Sequence, residues 1–409
     1  MPAAPLPMPR LGMDLLSEDT RLPAGCVRRA VNVDIDRDGQ AAARGGFVTR
    51  RAGARFVAIG CFAGRCWVQR GREVLWLDTS SFAMQPLLDA GSAQPVATAE
   101  VNGDLWMASS GGLWRVDGRS GQALRAPVVP RARPRVAASR AGALDAGVYG
   151  VAVSVSDAHG VESGAAWLGE CRTEAGLLLQ GLPVVPGLRW HVYLTAAHGD
   201  VLYEAESFDA VAPQMALGRM PAGQACETLG LAPLPGGHAL AAKGGRLYVA
   251  RGDTLMFSRA FRPWLYHPAH DWVRFAGRIR LVAAMQDGLF VGDDRGVWWL
   301  GGDDPQNARM QLASSARALA GSAVMLPARE SARLAQGLAV PCAVWLGETG
   351  YQIGLPDGTV RDLQPGRLSL DAAQTGRSVP IRRSGLSQVV TLTDAYEPRA
   401  LPGAAVDVS

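Results

Sequence analysis

Apolar and polar positions along this chain follow a recurring order. An apolar run, a glycine-containing turn, a Leu-aromatic-apolar stretch, a second turn and another aromatic-apolar run recur at 57–77, 97–116, 239–257 and 281–300. The second copy reads Asn102-Gly103-Asp104-Leu105-Trp106-Met107, then Leu113-Trp114-Arg115-Val116. The third reads Gly244-Gly245-Arg246-Leu247-Tyr248-Val249, and the fourth Asp287-Gly288-Leu289-Phe290-Val291, then Val297-Trp298-Trp299-Leu300. Alternation with period two predicts strands, and Asn-Gly, Gly-Gly and Asp-Gly pairs predict tight hairpin turns. Each copy therefore reads as three short strands. A hairpin-rich unit at roughly 40-residue spacing is the pattern of a blade array, in which each unit buries its aromatic row against the next.

Two further copies are weaker. One contains Cys342-Ala343-Val344-Trp345-Leu346 and Gly350-Tyr351-Gln352-Ile353-Gly354, and the other covers 379–392. Between the second and third copies the pattern changes. A proline-rich stretch, 126–134, leads into 135–230, where Gly147 to Ser156, Leu177-Leu178-Leu179 and Trp190 to Thr195 read as strands. About seven strands in ~100 residues fit a sandwich of the immunoglobulin or fibronectin type III kind. Residues 306–338, rich in Ala, Ser and Arg, predict a helix or a connecting loop. The expected fold is all-β: a β-propeller of five to seven blades with that sandwich inserted. The expected division is an arm and first hairpin over 1–50, a leading propeller segment over 51–130, the insertion over 131–231, a returning propeller segment over 232–395 and a tail over 396–409.

Composition adjusts this picture modestly. At 409 residues, with 48% hydrophobic and 19% charged residues, the chain suits more than one folded core. The 49 glycines and 26 prolines suit a turn-rich fold. A net charge of +4 gives no support for general nucleic-acid binding, although arginines cluster at Arg44, Arg50, Arg51 and Arg55 and at Arg131, Arg133 and Arg135, where a local basic rim or solvated loop charge is the reading. No apolar run reaches the ~18 residues that span a bilayer, and 1–10 lacks the apolar centre of a secretory signal. The six cysteines form no Cys-x-x-Cys pair. Cys61 and Cys66 flank the Ala63-Gly64 turn and are read as two small buried apolar residues, with no disulfide framework expected.

Candidate chemistry is sparse. Asp34, Asp36 and Asp38, followed by Gly39, match the front half of an EF-hand calcium loop, but Gly45 stands where the closing acid belongs. The other reading is a polar hairpin turn. His267, His270 and Asp271 cluster, but Pro268 breaks the helix that would align two ligands, so a packed loop is expected. No Walker loop, nucleophile elbow or His-Glu-x-x-His occurs. No catalytic residue and no cofactor are assigned. Repeat aromatics such as Trp67, Trp76, Trp106 and Trp298 are read as core, with carbohydrate stacking the alternative.

Three stretches resemble tailed-bacteriophage structural proteins, the tail-nozzle or tail-hub family. They are Leu22-Pro23-Ala24-Gly25 with Ala30-Val31-Asn32-Val33-Asp34 and Arg44-Gly45-Gly46-Phe47; Gly245 to Ala250 with Phe257-Ser258 and His267-Pro268; and Asp287 to Gly292 through Trp299 to Pro305. The resemblance covers most of 20–365 and departs at Gly46, where a proline is common. It implies a virion component assembled in the host cytoplasm: a homo-oligomeric ring, commonly a hexamer, around the DNA exit channel. Adaptor and fibre proteins would be its neighbours, and DNA would pass through the lumen without sequence-specific binding. The alternatives are a tip or hub protein of a long-tailed phage, and an enzymatic or carbohydrate-binding propeller. The last predicts acidic or histidine residues such as Asp34, Asp287 and His267 converging on the propeller axis.

Overall fold

The structure, a computed structural model, describes residues 11–31, 33–35, 40–43, 55–130, 134–332, 339–370, 373–383, 386–394 and 405–407. Their regular structure is almost entirely strand, and the only α-helix among them is the single turn Ala328–Ser331.

Five antiparallel meanders follow one another, each of four strands paired in chain order. Meander 1 comprises Phe56–Phe62, Arg65–Arg70, Glu73–Leu77 and Met84–Asp89. Meander 2 comprises Ala97–Val101, Asp104–Ser109, Gly112–Val116 and Ala123–Leu124. Meander 3 comprises Ala239–Lys243, Arg246–Arg251, Thr254–Phe257 and Trp272–Arg274. Meander 4 comprises Leu281–Ala284, Gly288–Asp293, Gly296–Gly301 and Arg309–Ser314. Meander 5 comprises Val324–Leu326, Cys342–Gly347, Gly350–Gly354 and Val360–Asp362. A hairpin, Gly376–Arg383 with Leu386–Thr393, follows.

The turns explain the first links. Asn102 and Gly103 have φ of 54° and 83°, and Gly244 and Gly245 have 58° and 71°, the double positive φ of a two-residue hairpin. Asp287-Gly288 behaves differently from the sequence expectation. Gly288 opens a strand, and a Cβ there would stand 2.4 Å from the Leu300 carbonyl oxygen and 2.5 Å from the Trp299 ring. The glycine is needed for close approach, not for turning.

Neighbouring meanders share cores. Phe62, Trp67 and Trp76 of meander 1 pack with Leu105, Met107 and Val116 of meander 2. Trp106 of meander 2 meets Leu240, Leu247 and Val249 of meander 3. Tyr248 and Phe257 of meander 3 meet Leu289, Val291 and Leu300 of meander 4. Phe290 and Trp299 of meander 4 meet Trp345 of meander 5, with Phe290 centred 4.7 and 5.4 Å from the two tryptophan rings. Val389 of the hairpin joins Leu326, Val344 and Ile353 of meander 5. Each aromatic row is thus covered by the following unit, as a blade array requires.

Two elements correct the sequence expectation. Each unit has four strands, not three. The stretch 306–338, expected as helix or loop, holds the helical turn Ala328–Ser331 but also supplies the strands Arg309–Ser314 and Val324–Leu326. Arg309–Ser314 is an exposed edge, and its alternating Met310 and Leu312 stay about half exposed.

Between meanders 2 and 3, seven strands form two sheets. Arg135–Ser139, Gly176–Gln180 and Gln214–Leu217 make one, in that spatial order. Ala166–Thr173, Gly147–Ser156, Arg189–Leu194 and Tyr203–Asp209 make the other. Their inner faces share one core around Tyr149, Val153, Leu179, Trp190 and Val192. The first two strands fall in different sheets, whereas strands A and B of an immunoglobulin constant domain share one.

Arg29–Val31 pairs with Ala405–Asp407. Leu11 to Leu15 lie beside the linker after meander 5, where the Leu15 N–H donates to the Arg367 carbonyl at 2.7 Å.

Candidate functional site on the polar face of the four-stranded sheet

Strand side chains alternate between faces. Val151, Val153 and Val155 with Trp190, Val192 and Leu194 therefore enter the sandwich core. Ser154, Ser156, His191 and Tyr193 are left on the opposite face. Segments 161–165 and 225–229 lie across that face and turn a row of polar groups into a half-buried network.

Glu162 is its first centre. Its Oε1 accepts from the Ser154 hydroxyl at 2.5 Å, the Tyr193 hydroxyl at 2.7 Å and the Thr228 hydroxyl at 3.2 Å. Its Oε2 lies 3.5 Å from the Arg262 guanidinium, which also reaches Glu227 at 2.7 Å. Its backbone carbonyl accepts from Trp264 Nε1 at 2.6 Å. Arg262 and Trp264 follow the third strand of meander 3, so one carboxylate joins the two sandwich strands to the blade array. A desolvated carboxylate is tolerable only with such a full set of donors. Burial, reinforced by the neighbouring Glu162 carboxylate, raises the Tyr193 phenol far above its ordinary value, and burial raises the Cys226 thiol. Gly164 completes the junction, since a Cβ there would collide with the Leu231 carbonyl.

The second centre is a chain of three. Ser156 Oγ stands 2.8 Å from His191 Nε2, and His191 Nδ1 stands 2.7 Å from Glu204 Oε1. Each comes from a different strand of the same sheet. Ser156 ends its strand, directly opposite Arg189 in the register. Arg189 donates to the Ser207 carbonyl and hydroxyl and pairs with Asp209 at 3.6 Å. The Glu204 backbone is fixed by Gln224 and Gly223, each at 2.9 Å. An open groove of about 790 Å³ lies beside Glu204, lined also by Glu206, Ser207, Arg219 and Gly223.

Sequence reasoning reached the strands over Gly147–Ser156 and Trp190–Thr195 but not these groupings. Glu162 and Trp264 are 102 positions apart, and nothing in the local pattern links them. The available signal was the alternation Ser154/Ser156 and His191/Tyr193, which marks one polar face on two strands.

The residues singled out from sequence lie elsewhere. Asp34 is on strand Val33–Ile35, paired with Ala42, whereas Asp36 and Asp38 fall outside the described residues. Among the described residues no group of three His, Cys, Asp or Glu side chains could hold a metal ion. Asp287 precedes meander 4's second strand, and its carbonyl accepts from the Gly302 N–H. The His267 and His270 rings stack at 3.9 Å. Fully buried Asp271 accepts from the His267 N–H at 2.7 Å and pairs with Arg259 at 3.1 Å, which makes this a packed loop. Trp67, Trp76, Trp106 and Trp299 are core, and Trp298 is half-buried. The reading of Cys61 and Cys66 is corrected: they are joined by a disulfide, and Cys61 is exposed. The two-residue turn places them directly opposite, with Cα atoms 4.1 Å apart, within bridging reach. Among the described residues no helix is long and apolar enough to cross a membrane.

No protein-family model and no curated protein matches the chain. Solved structures similar to it include BBS1N in complex with ARL6DN, at 12% identity over 84% of this chain and 85% of that one, with a TM-score of 0.32. The Pan2 WD40 domain of Neurospora crassa shows 9% identity over 84% and 90%, with a TM-score of 0.31. The N-terminal domain of Nup159 shows 12% over 83% and 73%, also at 0.31. Likenesses this weak carry no functional argument, and the fold description rests on the sheets themselves.

Proposed function

We propose that this chain is a structural component of a bacteriophage tail, a nozzle subunit in a homo-oligomeric ring at the DNA exit channel, present in the virion and active in tail assembly and genome ejection. In this reading the meanders close radially into a propeller, the final hairpin contributes a sixth, partial blade, and the fibronectin III-like sandwich is held as a rigid projection. The propeller acts by shape. Its neighbours are other copies, commonly six, together with adaptor and fibre proteins, and DNA transits without base readout.

One observation supports the assembly role above the others. The hairpin of Gly376–Arg383 and Leu386–Thr393 gains no third strand among the described residues. Its Val379 and Leu392 are 52% and 74% exposed. Unpaired edges with apolar side chains are templates for pairing with another chain. A ring built by head-to-tail contact needs such a surface on every subunit.

The test is native mass spectrometry and electron microscopy of the purified chain, beside Leu392→Glu. A closed ring for the parent and monomers for the variant are expected. A strictly monomeric parent at all concentrations, or rings unaffected by Leu392→Glu, would remove this support. A tip or hub role in a long-tailed phage would show as the same ring at a different position in intact particles.

A further inference from the structure

We propose that Ser156, His191 and Glu204 form an acyl-transfer relay that hydrolyses short-chain carboxylic esters, an activity additional to the architectural role and independent of it. The geometry is that of a nucleophile, a base and an orienting acid: a hydroxyl on Nε2, a carboxylate on Nδ1, and both links at hydrogen-bond distance. Such a set is recognised by geometry and roles, not by position in the chain. Packing holds it, because Ser156 is 6% exposed and the side chains of His191 and Glu204 are 19% and 31% exposed. The carboxylate keeps the imidazole in the tautomer that leaves Nε2 free to take a proton.

Arg189 stands opposite Ser156 in the strand register, and its guanidinium is turned to Ser207 and Asp209 on the next strand. The nearly covered hydroxyl admits only a compact acyl group. The substrate class is therefore a small acyl ester, such as an acetate.

The chemistry balances with water as the only co-reactant. Ser156 Oγ bonds to the ester carbonyl carbon while its proton passes to His191 Nε2. The carbonyl electron pair moves onto oxygen. Collapse breaks the bond to the alcohol oxygen, which leaves with the proton from Nε2. Water, deprotonated in turn by Nε2, then cleaves the acyl-Ser156 ester, releasing the carboxylic acid and restoring the serine.

The experiment treats the full chain with a fluorophosphonate probe and, separately, with p-nitrophenyl acetate, and maps modified peptides by mass spectrometry. Probe adduct on Ser156 and acetate turnover are expected. Both should vanish in Ser156→Ala, and the rates should fall about 10²- to 10⁴-fold in His191→Asn, the range of a positioned general base. Glu204→Gln should lower the rate and alter its pH profile without abolishing the adduct. An unmodified Ser156 in the parent chain overturns the proposal, whether or not the variants fold. So does labelling of Ser156 that His191→Asn leaves unchanged, which would mean a merely exposed hydroxyl.

Discussion

The sandwich and the blade array solve the same burial problem in different ways. In the sandwich, thirteen buried residues from both sheets form a single cluster, with Trp190, Tyr149, Leu177 and Val192 fully inaccessible. In the array no meander owns a core. Its aromatics are divided among successive seams, each formed by two neighbours. Two sheets facing each other complete their burial alone, whereas a blade completes it only when the next one is present. The sandwich should therefore lose stability as a local unit, and the array should lose it across a seam.

The largest effects test this contrast. Trp190→Ala and Trp345→Ala each remove a fully buried indole and should each cost about 3–5 kcal/mol. Their footprints should differ. Hydrogen exchange in Trp190→Ala should accelerate across 135–217 and leave meanders 4 and 5 protected. In Trp345→Ala it should accelerate on both sides of the seam, from 281 to 362. That indole packs on Phe290 of meander 4 and donates to Gln352 at 2.9 Å. Gln352 in turn bridges Ser314 and Asp362. Spread of the Trp190→Ala effect into meander 4 would abolish the distinction.

These regions also differ in how far they could be read from residues alone. Glycines and aromatic alternation marked the inner strands, because those strands are apolar on both sides and turns such as Asn102-Gly103 and Gly244-Gly245 need positive φ, whereas Gly288 marks a close approach. Outer strands escaped: Arg309–Ser314 is an exposed edge with no buried face to pattern it. In the sandwich, strands such as Gly147–Ser156 were legible, but which strands share a sheet was not. Pairing follows register and long-range burial, neither of which a local window contains. The polar face shows the cost. Ser156, His191 and Glu204 look scattered until three strands are placed side by side, and Glu162 resembles an ordinary turn residue until Arg262 and Trp264 reach it. Cys61 was misread for a local reason: alternation near the turn directs it outward, opposite Cys66, and not into the core.

The next effect lies where the regions meet. Glu162→Ala should cost about 2 kcal/mol, since it strands three hydroxyl donors and removes one partner of Arg262. Glu162→Gln retains an acceptor and should cost less. Exchange should quicken at 225–231 and 259–265 while the sandwich core stays protected. Unchanged melting and unchanged exchange at both segments would show that the junction is held by other contacts.

The smallest effect concerns a seam within the array. His238 precedes meander 3, and its Nε2 meets the Ile279 carbonyl at 2.7 Å just before meander 4. Burial, with Arg278 nearby, pulls its pKa below the ordinary 6.5, although the hydrogen bond to Ile279 opposes this. The sign follows from the two states. When unfolded, the imidazole takes up a proton near its ordinary value. When folded, it resists until the pH is lower. Between those values the unfolded chain binds more protons, so stability falls as the pH drops. The contribution is whole above the ordinary value and shrinks progressively below it. Melting between pH 7.5 and 5.5 should therefore show a shallow acid-side loss that His238→Gln reduces, with exchange at 238–240 and 279–281 as the local readout. The sandwich offers a contrast on the same sample, since no histidine enters its core cluster and the protection of 149–155, corrected for the intrinsic pH dependence of exchange, should change less than that at 238–240. An acid-side loss of equal size in His238→Gln would assign it to the carboxylates instead.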